Sequence, residues 1–187
     1  KSAVGELRAV EGAISGRIVA AAEVQPDVEA QRVSELGFLP QSYVDEARRF
    51  VGRLQETQAN TTDLAAAIAA AEAAKAGADL LSAAELYRTA LNLAPERFDL
   101  WTSYTDVAIR ASSDNWEIQQ QLTQDRTSGA VNAYLRAATP EDRAAALQLM
   151  GDALATRDDW KPAIRAYRAG LALVAVPARR AAYERAI

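Results

Sequence analysis

Residues 147–170 read LQLMGDALATRDDWKPAIRAYRAG. Leu147-x2-Met150-Gly151-x2-Leu154 is followed there by Ala163-x3-Tyr167-x2-Gly170, and later by Pro177. The apolar residues recur at helical spacing on both sides of a polar turn, which predicts two paired helices. Alanine or glycine at a crossing point lets two helix axes approach, and an aromatic side chain one turn later fills the gap. Gly151 is small enough to receive the facing helix, and the proline stops the second one.

The second half of this unit recurs upstream. Ala83-x3-Tyr87-x2-Ala90 precedes Pro95, and Ala130-x3-Tyr134-x2-Ala137 precedes Pro140. Trp101-x2-Tyr104 stands just after Pro95, where a new unit should open. This is the tetratricopeptide pattern, W-x2-L-G-x2-Y then A-x3-F then P, over about 34 residues. Ala130 to Ala163 is 33 residues, but Ala83 to Ala130 is 47. The excess falls around Ser112–Gln124, a polar segment with Trp116 and three consecutive glutamines. It is expected to form an inserted turn or short helix on one face of the stack. The first unit is weak, offering Ala67, Ala70, Ala71 and Ala74 where larger residues are usual. The units are placed at 62–95, 98–140 and 141–177. Each pair leaves an apolar face that only the next can cover.

Two further helices are predicted ahead of these. One runs from Pro26-Asp27 to Glu35, with Gly37 as its stop; the next opens at Pro40-Gln41-Ser42 and carries the stripe Tyr43, Val44, Ala47, Phe50, Val51, Leu54. Thr61-Thr62-Asp63 caps an alanine-rich helix to Ala76, closed by Gly77, and another spans Asp79 to Leu93. Residues 1–25 hold Gly5, Gly12 and Gly16 and a possible strand at Gly16–Ala20, and are assigned to an extended arm or the tail of a preceding module. The predicted fold is all-α, a tetratricopeptide-like antiparallel helix-pair solenoid of about seven to nine helices covering 26–187.

Composition narrows the chemistry. The formal net charge is -4 and the pI about 5.0, the opposite of the basic excess of a general nucleic-acid binder. There is no cysteine and no histidine, which excludes thiol nucleophiles, disulfides, Cys/His zinc sites and the Ser-His-Asp mechanism. No apolar run approaches the roughly 18 residues of a membrane span. Gly5, Gly12 and Gly16 have neither the spacing nor the Lys-Ser/Thr ending of a phosphate loop. No enzyme active site, cofactor or metal is predicted. The start at Lys1-Ser2 reads as a processed chain or a piece of a longer one.

A peptide-binding stack would use the first helix of each pair. Its outward positions are Asp99, Thr102, Asp106 and Arg110, then Gln148, Asp152 and Thr156. This lining is mixed and acidic-leaning, without the clustered Lys and Asn that grip a terminal carboxylate. Trp101 and Trp160 occupy packing positions and are assigned to the core, while Trp116 is core or partner contact. Glu141-Asp142 and Asp158-Asp159 are acidic pairs at helix starts, read as caps rather than as an acid–base pair. Lys161, Arg165 and Arg168 share one helical face, either solvated or docking an acidic neighbour. Asn60-Thr61-Thr62 matches a glycosylation sequon, a frequent chance match.

Thr127-Ser-Gly-Ala-Val-Asn-Ala-Tyr-Leu-Arg-Ala-Ala138, with Asp159-Trp-Lys-Pro-Ala-Ile-Arg-Ala-Tyr-Arg-Ala169 and Leu171-Ala-Leu173, resembles the helical region ahead of the macroglobulin domains in bacterial α2-macroglobulin family proteins. Lys1-Ser-Ala-Val-Gly-Glu-Leu7 and Gly12-Ala-Ile-Ser-Gly-Arg-Ile-Val19 resemble the tail of an apple/PAN-like module. The resemblance implies a periplasmic protease-inhibitor host, often anchored to the inner membrane, in which this segment spaces domains or docks a protease or cell-wall enzyme. Members trap proteases, some through a Cys-Glx thioester; with no cysteine, no residue here carries that role. The runner-up is a free-standing tetratricopeptide adaptor with a peptide in its groove.

Overall fold

The computed structural model describes residues 26–56 and 62–174. The expected arm at 1–25 lies outside them, as do Asn60, Thr61, Pro177 and the cations Arg179, Arg180 and Arg185. Among the described residues the fold is all-α, with eight helices: α1 Pro26–Glu35, α2 Gln41–Glu56, α3 Leu64–Ala76, α4 Leu80–Leu93, α5 Phe98–Arg110, α6 Trp116–Arg136, α7 Pro140–Ala155 and α8 Trp160–Leu173.

Local chemistry sets these boundaries. Asp63 accepts from the Ala66 amide at 3.0 Å, and Asp79 from that of Ser82 at 3.1 Å. Thr139 and Asp142 form a reciprocal capping box ahead of α7, with Pro140 in the first turn. Gly77 closes α3 as expected, its amide donating to Ala73 O, and the left-handed residue is the next one, Ala78, at φ 62°, as Asp158 is after α7 at φ 60°. Both turns close with the same crossed bonds, Asp79 N to Ala74 O with Ala78 N to Lys75 O, and Asp159 N to Leu154 O with Asp158 N to Ala155 O. One expectation changes here. Asp159, expected as the cap of α8, makes no side-chain cap bond. Its carboxylate accepts from Tyr43 of α2 and lies 3.7 Å from Arg157.

Helices α3 and α4, α5 and α6, and α7 and α8 pack as hairpins, and α4 packs on α5 and α6 on α7. Ala83, Ala130 and Ala163 are all fully buried, as close helix approach requires. The tightest approach is Gly151, where a β-carbon would press into the Tyr167 ring. Gly151→Ala is therefore expected to destabilise. Overpacking of about 1–3 kcal/mol exceeds the helix propensity of about 1 kcal/mol that alanine returns. Urea titration should show a smaller loss from the same change in a Tyr167→Leu background, because the ring is the obstacle.

The middle hairpin departs from the pattern. Gly129 of α6 meets α5, where an added β-carbon would lie 2.5 Å from Thr105 Oγ1. Tyr134 turns instead toward α1, donating to Glu35 at 2.5 Å. The extra residues form no separate helix: they lengthen α6, whose start is capped by Asn115. Arg126, within α6, donates at 2.8 Å to Ala108 O and to Ala111 O, satisfying carbonyls left open at the end of α5. The long helix also carries the N-terminal pair, since α2 lies against α6 and α4, and α1 against α6.

Trp101 is buried as expected, its Nε1 donating to Pro95 O at 2.8 Å. Trp160 is not: it is 56% exposed. The buried row of α8 begins at Ala163 and continues through Ala166, Tyr167 and Gly170. Trp160 is the first residue of α8, one turn before that row, and α7 has ended at Ala155.

Candidate interaction surfaces

The seven predicted groove residues lie on α5, on α7 and just beyond α7. Asp99 is held by Arg97, whose Nε donates at 3.0 Å, and this bond keeps its carboxyl below the usual range. Thr102 Oγ1 donates to Asp99 O at 2.9 Å, and Thr156 Oγ1 to Ala153 O at 2.7 Å. Asp106 takes Lys75 of α3 at 3.3 Å and Arg110 at 3.9 Å. Asp152 accepts from Tyr167 Oη at 2.6 Å. Burial pushes the Asp152 carboxyl up; the tyrosine bond works against this, and the charge of Asp106 adds to it. Gln148 is half-buried.

The structure thus brings Asp106 and Asp152 into one field and adds Lys75 and Glu72, which the sequence reading omitted. Glu72 accepts from Tyr87, whose hydroxyl is pushed up to about 12 by burial and then by that bond. Tyr87–Glu72 and Tyr167–Asp152 are both fifteen residues apart, so the outer hairpins share a tyrosine-to-carboxylate tie. That constant spacing was a signal available in the sequence.

A second surface comes from the lengthened α6. A cleft of about 340 Å³ is lined by Arg53 of α2 and by Glu117, Gln120, Gln121 and Gln124 of α6. Trp116 is 69% exposed and stands one turn before Gln120, on the row that continues to Gln124. Ile118 beside it is also exposed. Directly after the cleft residues, Asp125 is 1% exposed. Its Oδ2 accepts from Tyr104 Oη at 3.0 Å and from Arg88 at 3.4 Å, and Arg53 lies 3.8 Å from Oδ1. Burial pushes this carboxyl up to about 6, against the pull of Arg88. With its amide oxygen turned inward, Gln121 accepts from Arg88 at 2.8 Å.

No family model, curated protein or solved structure matches the chain. Among the described residues no group of three acidic side chains is placed to hold a metal ion, and no helix is long and apolar enough to cross a membrane. The third surface is the outer face of α8, where Lys161, Arg165 and Arg168 are exposed beside Trp160.

Proposed function

We propose that this chain is a non-catalytic helical-repeat module of tetratricopeptide type. It serves protein interaction or domain spacing within a periplasmic α2-macroglobulin-like protein. The observation that carries the interaction reading is Trp116. A large aromatic stands in water on the one segment that breaks the repeat, at the edge of a polar cleft. Tryptophan, with tyrosine and arginine, is enriched among the energetic anchors of interfaces. The adaptor reading is less favoured, because Asp106 and Asp152 are already engaged by Lys75, Arg110 and Tyr167. The non-catalytic reading is supported by Asp125, enclosed by Arg53, Arg88 and Tyr104 rather than paired with a second carboxylate facing a substrate.

A photo-crosslinking amino acid at position 116 is expected to capture one defined protein, or another segment of the same polypeptide. The same group at Ala69, exposed on α3, should not. Equal yields at both positions would remove Trp116 as the anchor. The host is tested separately by the genomic reading frame: macroglobulin domains encoded downstream of Ile187 support it, and a stop codon there removes it.

A further inference from the structure

The outer face of α8 is charged in a way that does not serve the helix. Its 14 residues include no acid. Lys161 is the second residue, in the first turn, where the helix dipole disfavours a cation. Arg165 follows one turn later and Arg168 a further turn on, so like charges neighbour each other along one face. All three are exposed, and none holds an ion pair among the described residues. Several cations elsewhere are paired, Arg48 with Glu29, Lys75 with Asp106, Arg97 with Asp99 and Arg143 with Glu35, and Arg49 of α2 stands exposed without an ion pair among the described residues, but singly rather than in a row. Trp160 heads the same face, leading through half-buried Ile164 to Arg168.

We propose that Trp160, Lys161, Arg165 and Arg168 form a docking surface for an acidic segment of a partner protein, with Trp160 as its apolar anchor. This goes beyond the Trp116 surface, which lies on another helix, and rests on the interaction reading only in requiring a protein partner. Charge complementarity selects the occupant. The cations span about 10 Å along the axis, close to the Debye length of about 8 Å at physiological salt. A short acidic segment therefore meets the patch alone. A bilayer or a nucleic acid presents an extended negative surface that would also face the carboxylates of a chain whose net charge is -4.

The test uses the full chain and a fluorescein-labelled synthetic peptide of Asp and Glu interspersed with Leu, followed by anisotropy at two salt concentrations. Binding is expected to weaken about tenfold in Lys161→Glu/Arg165→Glu, an interface-sized effect. It should also weaken in Trp160→Ala, and change less than about twofold in Arg49→Glu, a charge reversal at an exposed position of α2. Trp116→Ala should leave it unchanged. Arg165→Gln serves as a milder variant should the double reversal unfold. Equal weakening by Arg49→Glu would reduce the effect to overall charge and overturn the proposal. So would absence of peptide binding, or binding of anionic phosphatidylserine vesicles in its place. Crosslinking at position 116 reads the other surface independently, so either reading can fail alone.

Discussion

Phe50→Ala is expected to lower the unfolding free energy by about 3–5 kcal/mol. Melting should fall by roughly 2–4 °C for each of those kcal/mol, as for domains of this size. Phe50 is fully buried in α2, a helix outside the three hairpins. Its ring meets Trp101 edge-on at 5.8 Å and stacks on Tyr104 at 5.7 Å, while the guanidinium groups of Arg53 and Arg88 lie 5.6 Å from its centre. Alanine removes all four contacts and leaves a cavity between α2, α4 and α5 that cannot collapse without moving a helix. Each aromatic pair adds about 0.5–1.5 kcal/mol beyond burial, which places the loss toward the upper end. Urea unfolding with an unchanged slope is the measurement. A loss below about 1 kcal/mol would mean that α2 does not close this side of the molecule.

That position shows how far the sequence could be read. The helical stripe through Val44, Ala47, Phe50 and Leu54 is visible in the residues alone, and those four are the buried ones of α2. The partner of the stripe is not visible, because spacing fixes a face but not what covers it. The outer hairpins were legible because their small and aromatic residues repeat at the contact itself, down to Gly151 under Tyr167. The middle one was only half legible. Ala130 and Tyr134 fit the pattern and are buried, yet Tyr134 serves α1, and Gly129 takes the close approach to α5. An insertion shifts register without altering the motif that a reader aligns. Trp160 fits a packing position too, yet it is the first residue of α8 and mostly exposed, and a place in a motif does not fix burial at a helix end. Among site residues, Trp116 and the α8 cations were named from the sequence. Asp125 was not, because its significance comes from three helices converging on it.

Stability is expected to rise as pH falls from about 7 toward 4, and Asp125→Asn is expected to abolish most of that rise. The carboxyl titrates at about 6 in the folded chain against an ordinary value of 3.8. Between those values the folded state holds a proton that the unfolded state has released, so acid favours folding. The contribution is fully present below 3.8 and is lost as pH rises through about 6. It has a ceiling of roughly 3 kcal/mol, about half of which is present at pH 5. The titratable groups facing Asp125 are Arg53 from α2, Arg88 and Glu85 from α4, and Tyr104 from α5. The tyrosine is itself held well above 10 by burial, so it stays neutral through this window. Asparagine preserves the shape and an acceptor for Tyr104, while Arg88 keeps Glu85 at 3.5 Å. The variant should therefore lose little stability at pH 7.5, since Arg53 and Arg88, 44% and 21% exposed, stay partly in water rather than as fully buried charges. Urea midpoints at pH 7.5 and 5 decide the matter. A parent that loses stability over that interval, or a variant with the parent's full pH slope, would show that Asp125 is not held in a dry setting between α2, α4 and α5.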